Sequence, residues 1–306
     1  MSILNCSLDL IYPPISNQEG VWLWEDDEVK EYVKKSKLYM LVQRKELKYI
    51  DIDEVLLKKG VFKFKISMGE IISEYFIFPF WNNLFSKKEE ISSFYVEVGD
   101  KFFRIKTEDS VIYWATPDKI LYDIITKRIH LETNNEKDIA VFQEYELLYV
   151  GISKKNDSFS RLFETAHHGR LNILSNESTK EETARMTDEL MILLFEIKWF
   201  NINTMDCLEH EYDWFTYTDD EDAITADAEK AYVSLLKSKY NDVKFKQYPK
   251  GADGLYDKGL NGYIYSINYD LRLYTEQEEI SGKYEDLDRD GILVQKNTVK
   301  IIKSKK

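Results

Sequence analysis

The sequence predicts an α+β protein of two domains, on three observations. Several short stretches alternate apolar and polar residues with the period of a strand. Two longer stretches repeat at helical spacing. A polar run, Glu132–Lys137 (ETNNEK), separates an N-terminal α+β domain, residues 1–135, from a second domain beyond it. The chain has 306 residues, enough for two cores. With 43% hydrophobic and 32% charged residues it has the balance of a packed globular protein, and its 12 glycines and 5 prolines leave little for long flexible linkers.

In the first domain Val61–Ser67 (VFKFKIS) is a strand with basic residues on one face. Phe94–Thr107 is a hairpin turning at Gly99-Asp100. Ser110–Ile125 is a strand followed by a helix, capped by Thr116 with Pro117 at its first position. The aromatics Trp22, Trp24, Phe80 and Trp81 are candidates to stack on a base or fill a partner's groove, against the plainer reading of half-buried sheet faces.

The second domain opens with Tyr145–Ser153, a strand ending at Gly151, then a loop, then a helix from Phe159 to Leu171. Leu190–Phe200 is apolar enough for a central strand or a short buried helix. An acidic loop, Asp219–Asp222, precedes a helix from about Ala226 to Lys239. Residues 259–275 alternate like paired hairpin strands, and 276–306 form a C-terminal extension.

The net charge of −13 argues against a broad basic surface for nucleic acid, though not against a local groove. Cys6 and Cys207 have neither metal nor redox spacing and suit a reducing compartment. No apolar run is long enough to span a bilayer and no signal segment is visible, so a cytoplasmic protein without membrane contact is expected. Asp286–Gly291 (DLDRDG) starts like a calcium loop but lacks the twelfth-position glutamate and reads as an acidic turn. His130 and His210 have no partners at ligand spacing.

The residues that carry chemistry lie in Leu147–His168, LLYVGISKKNDSFSRLFETAHH. Tyr149-Val150-Gly151 ends a strand, Arg161-Leu162 sits on the helix after it, and His167-His168 come next. Later, Glu229 opens an apolar helix that runs to Tyr240-Asn241. This pattern, over about a third of the chain, resembles the GIY-YIG nucleases. The resemblance implies a small mixed antiparallel sheet flanked by helices, over residues 136–275 with an acidic insertion. It also implies a metal-dependent endonuclease, acting on DNA ahead of RNA, in restriction, defence, repair or mobile-element settings.

By that resemblance Glu229 holds Mg²⁺ or Mn²⁺, Arg161 clamps the scissile phosphate, and Tyr149 with His167 or His168 handles the proton. Residue chemistry agrees. A carboxylate suits a hard cation, a guanidinium grips phosphate bidentately, and a phenol or imidazole positions water. On a continuous helix Arg161 and His168 share a face, about 20° from alignment, which favours His168. The family's first element, a Gly-(Ile/Val)-Tyr strand shortly before the YVG, is not visible, and Tyr145 is the candidate to replace it. Arg161, Arg170, Lys154, Lys155, Lys244 and Lys246 are expected to line the cleft. The N-terminal domain is expected to choose the target or hold a protein partner. Two alternatives stand beside the enzyme: an inactive scaffold of this type that binds protein or nucleic acid, and a nuclease whose Asp219–Asp222 loop occupies its own groove.

Overall fold

The computed structural model describes residues 2–85, 94–133, 135–164, 166–203 and 220–304. It is α+β throughout. The chain forms two compact units that differ from the expected division at residue 135. The first comprises Met1–Arg44, Tyr145–Ser178 and Leu190–Lys306, and the second Lys45–Glu144 with Thr179–Glu189. The second unit is thus an insertion. The strand Leu38–Gln43 leads out of the first unit and the strand Glu144–Ile152 leads back, and the two pair antiparallel with Gln43 opposite Glu146. The polar run Glu132–Lys137 does not part the units. Its last two residues open the short helix Glu136–Phe142, which belongs to the second unit.

The first unit is built on one sheet, larger than the small one expected. Its order is Glu279–Gly282, Leu271–Tyr274, Glu144–Ile152, Leu38–Gln43, Leu190–Asn203, Ser2–Leu10, Gly262–Asn268, Gly291–Gln295, Thr298–Ile302, with Ile15–Ser16 added against Leu190–Asn203. The central position of Leu38–Gln43 accords with its composition: all six residues are buried, as a strand covered on both faces requires. The apolar run from Leu190 resolves as a strand for the same reason, pairing with Leu38–Gln43 on one side and Ser2–Leu10 on the other. Gly262–Asn268 and Leu271–Tyr274 are not hairpin partners. The first lies parallel to Ser2–Leu10, and the second pairs with Glu279–Gly282. The Lys283 N–H donates to the Ile267 carbonyl at 3.2 Å, so the sheet curls back on itself. The segment expected as a C-terminal extension contributes Glu279–Gly282, Gly291–Gln295 and Thr298–Ile302 as integral strands of this sheet.

The helix Glu221–Leu236 begins five residues earlier than expected because Asp220 caps it, accepting the Ala223 N–H at 3.0 Å. The acidic run is therefore partly a helix start, with Glu221 and Asp222 in the first turn, where carboxylates favour the dipole. Asp219, Cys207 and His210 lie outside the described residues. The helix is buried through Ala223, Ile224, Ala226, Ala228, Ala231, Tyr232, Val233 and Leu236, its alanines permitting close approach on several faces.

The second unit has a three-stranded sheet containing the expected hairpin, Tyr95–Val98 with Phe103–Lys106, and a four-stranded sheet centred on Phe62–Met68. Thr116 caps Pro117–Ile125 as expected. An aromatic core joins the two sheets, with the Phe62 and Phe103 rings stacked 4.0 Å apart. Phe80 belongs to that core, while Trp22 and Trp81 are exposed. Among the described residues no helix is long and apolar enough to cross a membrane.

Candidate active site

Two adjacent strands of the first unit each contribute a tyrosine to one face. Gly151 lies opposite Tyr39 in the ladder, and a bulge between Leu147 and Tyr149 turns Tyr149 toward it. The rings of Tyr39 and Tyr149 stack at 6.2 Å and 25°. The glycine is a steric requirement. A Cβ at residue 151 would sit 2.5 Å from the Tyr39 hydroxyl and 2.6 Å from the Tyr149 ring. Gly151→Ala is accordingly expected to push both phenols aside. It should cost about 1–3 kcal/mol of stability by overpacking, readable as a lower denaturation midpoint and a changed near-UV tyrosine signal.

The helix predicted from Phe159 to Leu171 is two helices, Ser158–Phe163 and His168–Asn176. Asp157 caps the first and His167 the second, so the face-matching that favoured His168 does not apply. His168 is exposed, with its Nε2 3.1 Å from the Asn172 amide. His167 is only 2% exposed and packs edge-on against both tyrosines, 5.6 Å from Tyr39 and 5.4 Å from Tyr149.

The cap fixes the tautomer. His167 Nδ1 accepts the Arg170 N–H at 2.9 Å, so in the neutral ring the proton is on Nε2. Nε2–H then donates to the Tyr39 hydroxyl oxygen at 2.6 Å. Burial, aided by the charges of Arg161 and Arg170, holds the His167 pKa down to about 4, so the ring is neutral at pH 7. Burial raises the pKa of Tyr39. Tyr149 pushes it further, Arg161 pulls it back, and Glu229 pushes it up again. Tyr149 is likewise raised by burial and by the Glu229 carboxylate, with Arg161 opposing. Arg161 and Glu229 are therefore both coupled to the two phenols, and Arg161 projects exposed from its short helix.

Glu229 is half-buried on the helix Glu221–Leu236. Burial lifts its pKa to about 7, against the pull of Lys154 and Lys230 and with a further push from Asp253. A carboxylate in this state gains from a nearby cation. Among the described residues no three His, Cys, Asp or Glu side chains gather as a metal cage. One carboxylate is nevertheless a donor set that fits Mg²⁺ or Mn²⁺, which keep several waters and take other oxygens from a bound phosphate.

Asn241 ties the later segment to the tyrosine strand. Its Oδ1 accepts the Val150 N–H at 2.9 Å and its Nδ2 donates to the Val150 carbonyl at 2.7 Å. Its neighbour donates the Tyr240 N–H to the Leu148 carbonyl at 2.9 Å.

Other candidates have different tasks. Tyr145 is buried beneath the Arg44 guanidinium, 5.0 Å from its ring. Arg170 is spent on packing: its Nε donates to Asn17, its Nη1 donates to the Leu162 carbonyl, and it lies over the Phe163 ring. Lys244 donates to the Ser238 and Lys239 carbonyls beyond the helix end. In the DLDRDG turn, Asp290 accepts the backbone N–H of Ser281 and of Ser304.

Asp227, which the sequence does not single out, lies in the helix that the acidic run begins. It is 0% exposed and accepts the Tyr248 hydroxyl at 2.6 Å, the Tyr265 hydroxyl at 3.0 Å, the Tyr263 hydroxyl at 3.3 Å and the Leu255 N–H at 2.7 Å. Its position among Ala226, Ala228 and Ala231 was the available signal. Comparison of the chain with models of protein families, with curated proteins and with solved structures finds no match.

Proposed function

We propose that the first unit is a metal-dependent endonuclease domain of the GIY-YIG type, hydrolysing phosphodiester bonds, of DNA ahead of RNA. The observation that carries this reading is the cluster of Tyr39, Tyr149 and His167, with Arg161 and Glu229 electrostatically coupled to both phenols. The reading takes Lys37-Leu38-Tyr39, whose strand pairs with the YVG strand but is separated from it in sequence by the inserted unit, as the counterpart of the Gly-(Ile/Val)-Tyr element that is missing just upstream of Tyr149. The inserted unit is in turn the proposed module for target or partner recognition.

The chemistry rests on the charges. A neutral His167 donating from Nε2 fixes the orientation of the Tyr39 hydroxyl, which burial keeps protonated. Tyr39 Oη is thereby suited to hold and orient an attacking water by hydrogen bonding, with the water's proton passing to solvent, in a site shielded by the rings around it. The Arg161 guanidinium holds the non-bridging oxygens in a fork that remains charged at any working pH. Glu229 would hold the metal ion, which when bound supplies Lewis-acid stabilisation of the leaving oxygen.

Incubation with plasmid DNA and Mg²⁺ or Mn²⁺, with and without EDTA, tests the reading. Cutting is expected only with the free cation. Arg161→Lys is expected to lose at least ~100-fold in rate, because an ammonium cannot reproduce the bidentate grip. Absence of cutting on both DNA and RNA would leave an inactive binding scaffold as the better account. Equal rates for wild type and Arg161→Lys would remove Arg161 from the site.

A further inference from the structure

Beside Glu229 lies a cleft of about 570 Å³. One wall is the helix Glu221–Leu236 through Lys230, and the other is the segment 242–253. Lys244, Lys246 and Lys250 lie along that segment. Lys246 and Lys250 are exposed and have no ion-pair partner among the described residues. Lys230 is 7% exposed and is paired with Asp253, which also lies 3.6 Å from Lys154. Asp242 also lines the cleft, so four lysines against Asp242 and Asp253 leave it net positive in a chain that carries −13 as a whole.

The cleft is held in shape from beneath. Tyr248 and Leu255, on either side of Lys250 and Asp253, both bond to the buried Asp227 carboxylate. Asp227 is two residues from Glu229 on the same helix, so the wall of the cleft and the metal carboxylate share one rigid support. A backbone anchored this way does not have to be ordered when a ligand arrives.

We infer that this cleft binds the phosphate backbone of the nucleic acid on one side of the cleaved bond, with Lys246 and Lys250 contacting phosphates and Asp253 holding Lys230 and Lys154 until a phosphate displaces it. The inference rests on the nuclease reading and adds to it the path of the strand. Asp253 acts as an internal stand-in for phosphate. It offsets one of the two positive charges of Lys230 and Lys154 in the free protein and releases both side chains to a ligand that offers negative charge in a longer array. Contacts of this kind carry no base specificity and give a binding constant that falls with salt.

The test is a titration of a labelled duplex oligonucleotide with the full-length protein in EDTA at several salt concentrations, alongside the metal-dependent cutting assay. For Lys246→Ala/Lys250→Ala, the slope of log affinity against log salt is expected to become shallower by roughly 2, close to 0.9 per lost phosphate contact. Lys246→Arg/Lys250→Arg should restore it, since charge rather than shape is read. Asp253→Asn should tighten binding several-fold at low salt. An unchanged slope in the double alanine variant, in a protein that still cuts, would overturn the cleft while leaving the nuclease reading intact. Absence of both binding and cutting in the wild type would overturn the two together.

Discussion

Glu229→Gln is expected to abolish metal-dependent cutting and, in the absence of metal, to raise the thermal midpoint at pH 8. The two effects share a cause. The folded protein holds this carboxylate at a pKa of about 7 against a reference of 4.5, chiefly by burial. A carboxylate raised on folding binds more protons in the native state than in the unfolded state between those values. Stability therefore falls as pH rises from about 4.5 to about 7, and the full penalty persists above that. One pKa unit corresponds to about 1.4 kcal/mol, and discounting for partial exposure leaves a penalty of about 1–2 kcal/mol at pH 8. Glutamine keeps the shape, removes the charge and so removes the penalty, while losing the anionic oxygen that a hard cation requires. The gain in midpoint should be clear at pH 8 and small at pH 5. Differential scanning calorimetry in EDTA at both values, with cutting assays on the same preparations, reads both halves. A variant that cuts normally, or that is less stable at pH 8 than at pH 5 relative to wild type, would show that Glu229 is not a strained metal carboxylate.

Tyr39→Phe is expected to reduce cutting by roughly 10²-fold, the scale for losing a group that orients a reacting molecule. It should also leave the His167 Nε2–H without its 2.6 Å partner, and a buried unpaired donor costs about 1–3 kcal/mol. Tyr145→Phe is the contrasting change. It removes the 3.4 Å contact with Arg44 and should leave the cutting rate within about 3-fold of wild type. Single-turnover rates for the two variants decide between the tyrosines. The opposite ranking would return the water-orienting role to the Tyr145 position and remove it from the strand Leu38–Gln43.

The sequence made local features readable and long-range ones less so. The strand around Phe62–Met68, the hairpin at Gly99-Asp100, the Thr116 cap and the Tyr149–Gly151 strand end all depend on residues within a few positions of each other, and they stand as expected. Tyr39 escaped because a folded unit separates it from its partner strand, and a spacing rule has no means of looking across an insertion. His167 was passed over in favour of His168 because helical projection assumes an unbroken helix. An imidazole ending one segment and capping the next is a hydrogen-bond event without a periodic trace. Asp227 was hidden in a run of acids. What distinguishes it is three tyrosine hydroxyls and one N–H, with donors drawn from residues 248–265.

The insertion also sets the order in which the site can come into being. Tyr39 leaves the ribosome well ahead of its neighbours. Neither strand flanking Leu38–Gln43 exists until Lys45–Glu144 has been made, and the second flank begins only at Leu190. Glu229 and the Asn241 clamp on Val150 emerge later still. A nascent chain halted anywhere before residue 241 has its phenols without the amide that secures their strand, and one halted before 229 lacks Glu229 as well. The contacts that hold the two phenols in place are thus complete only once synthesis has passed residue 241.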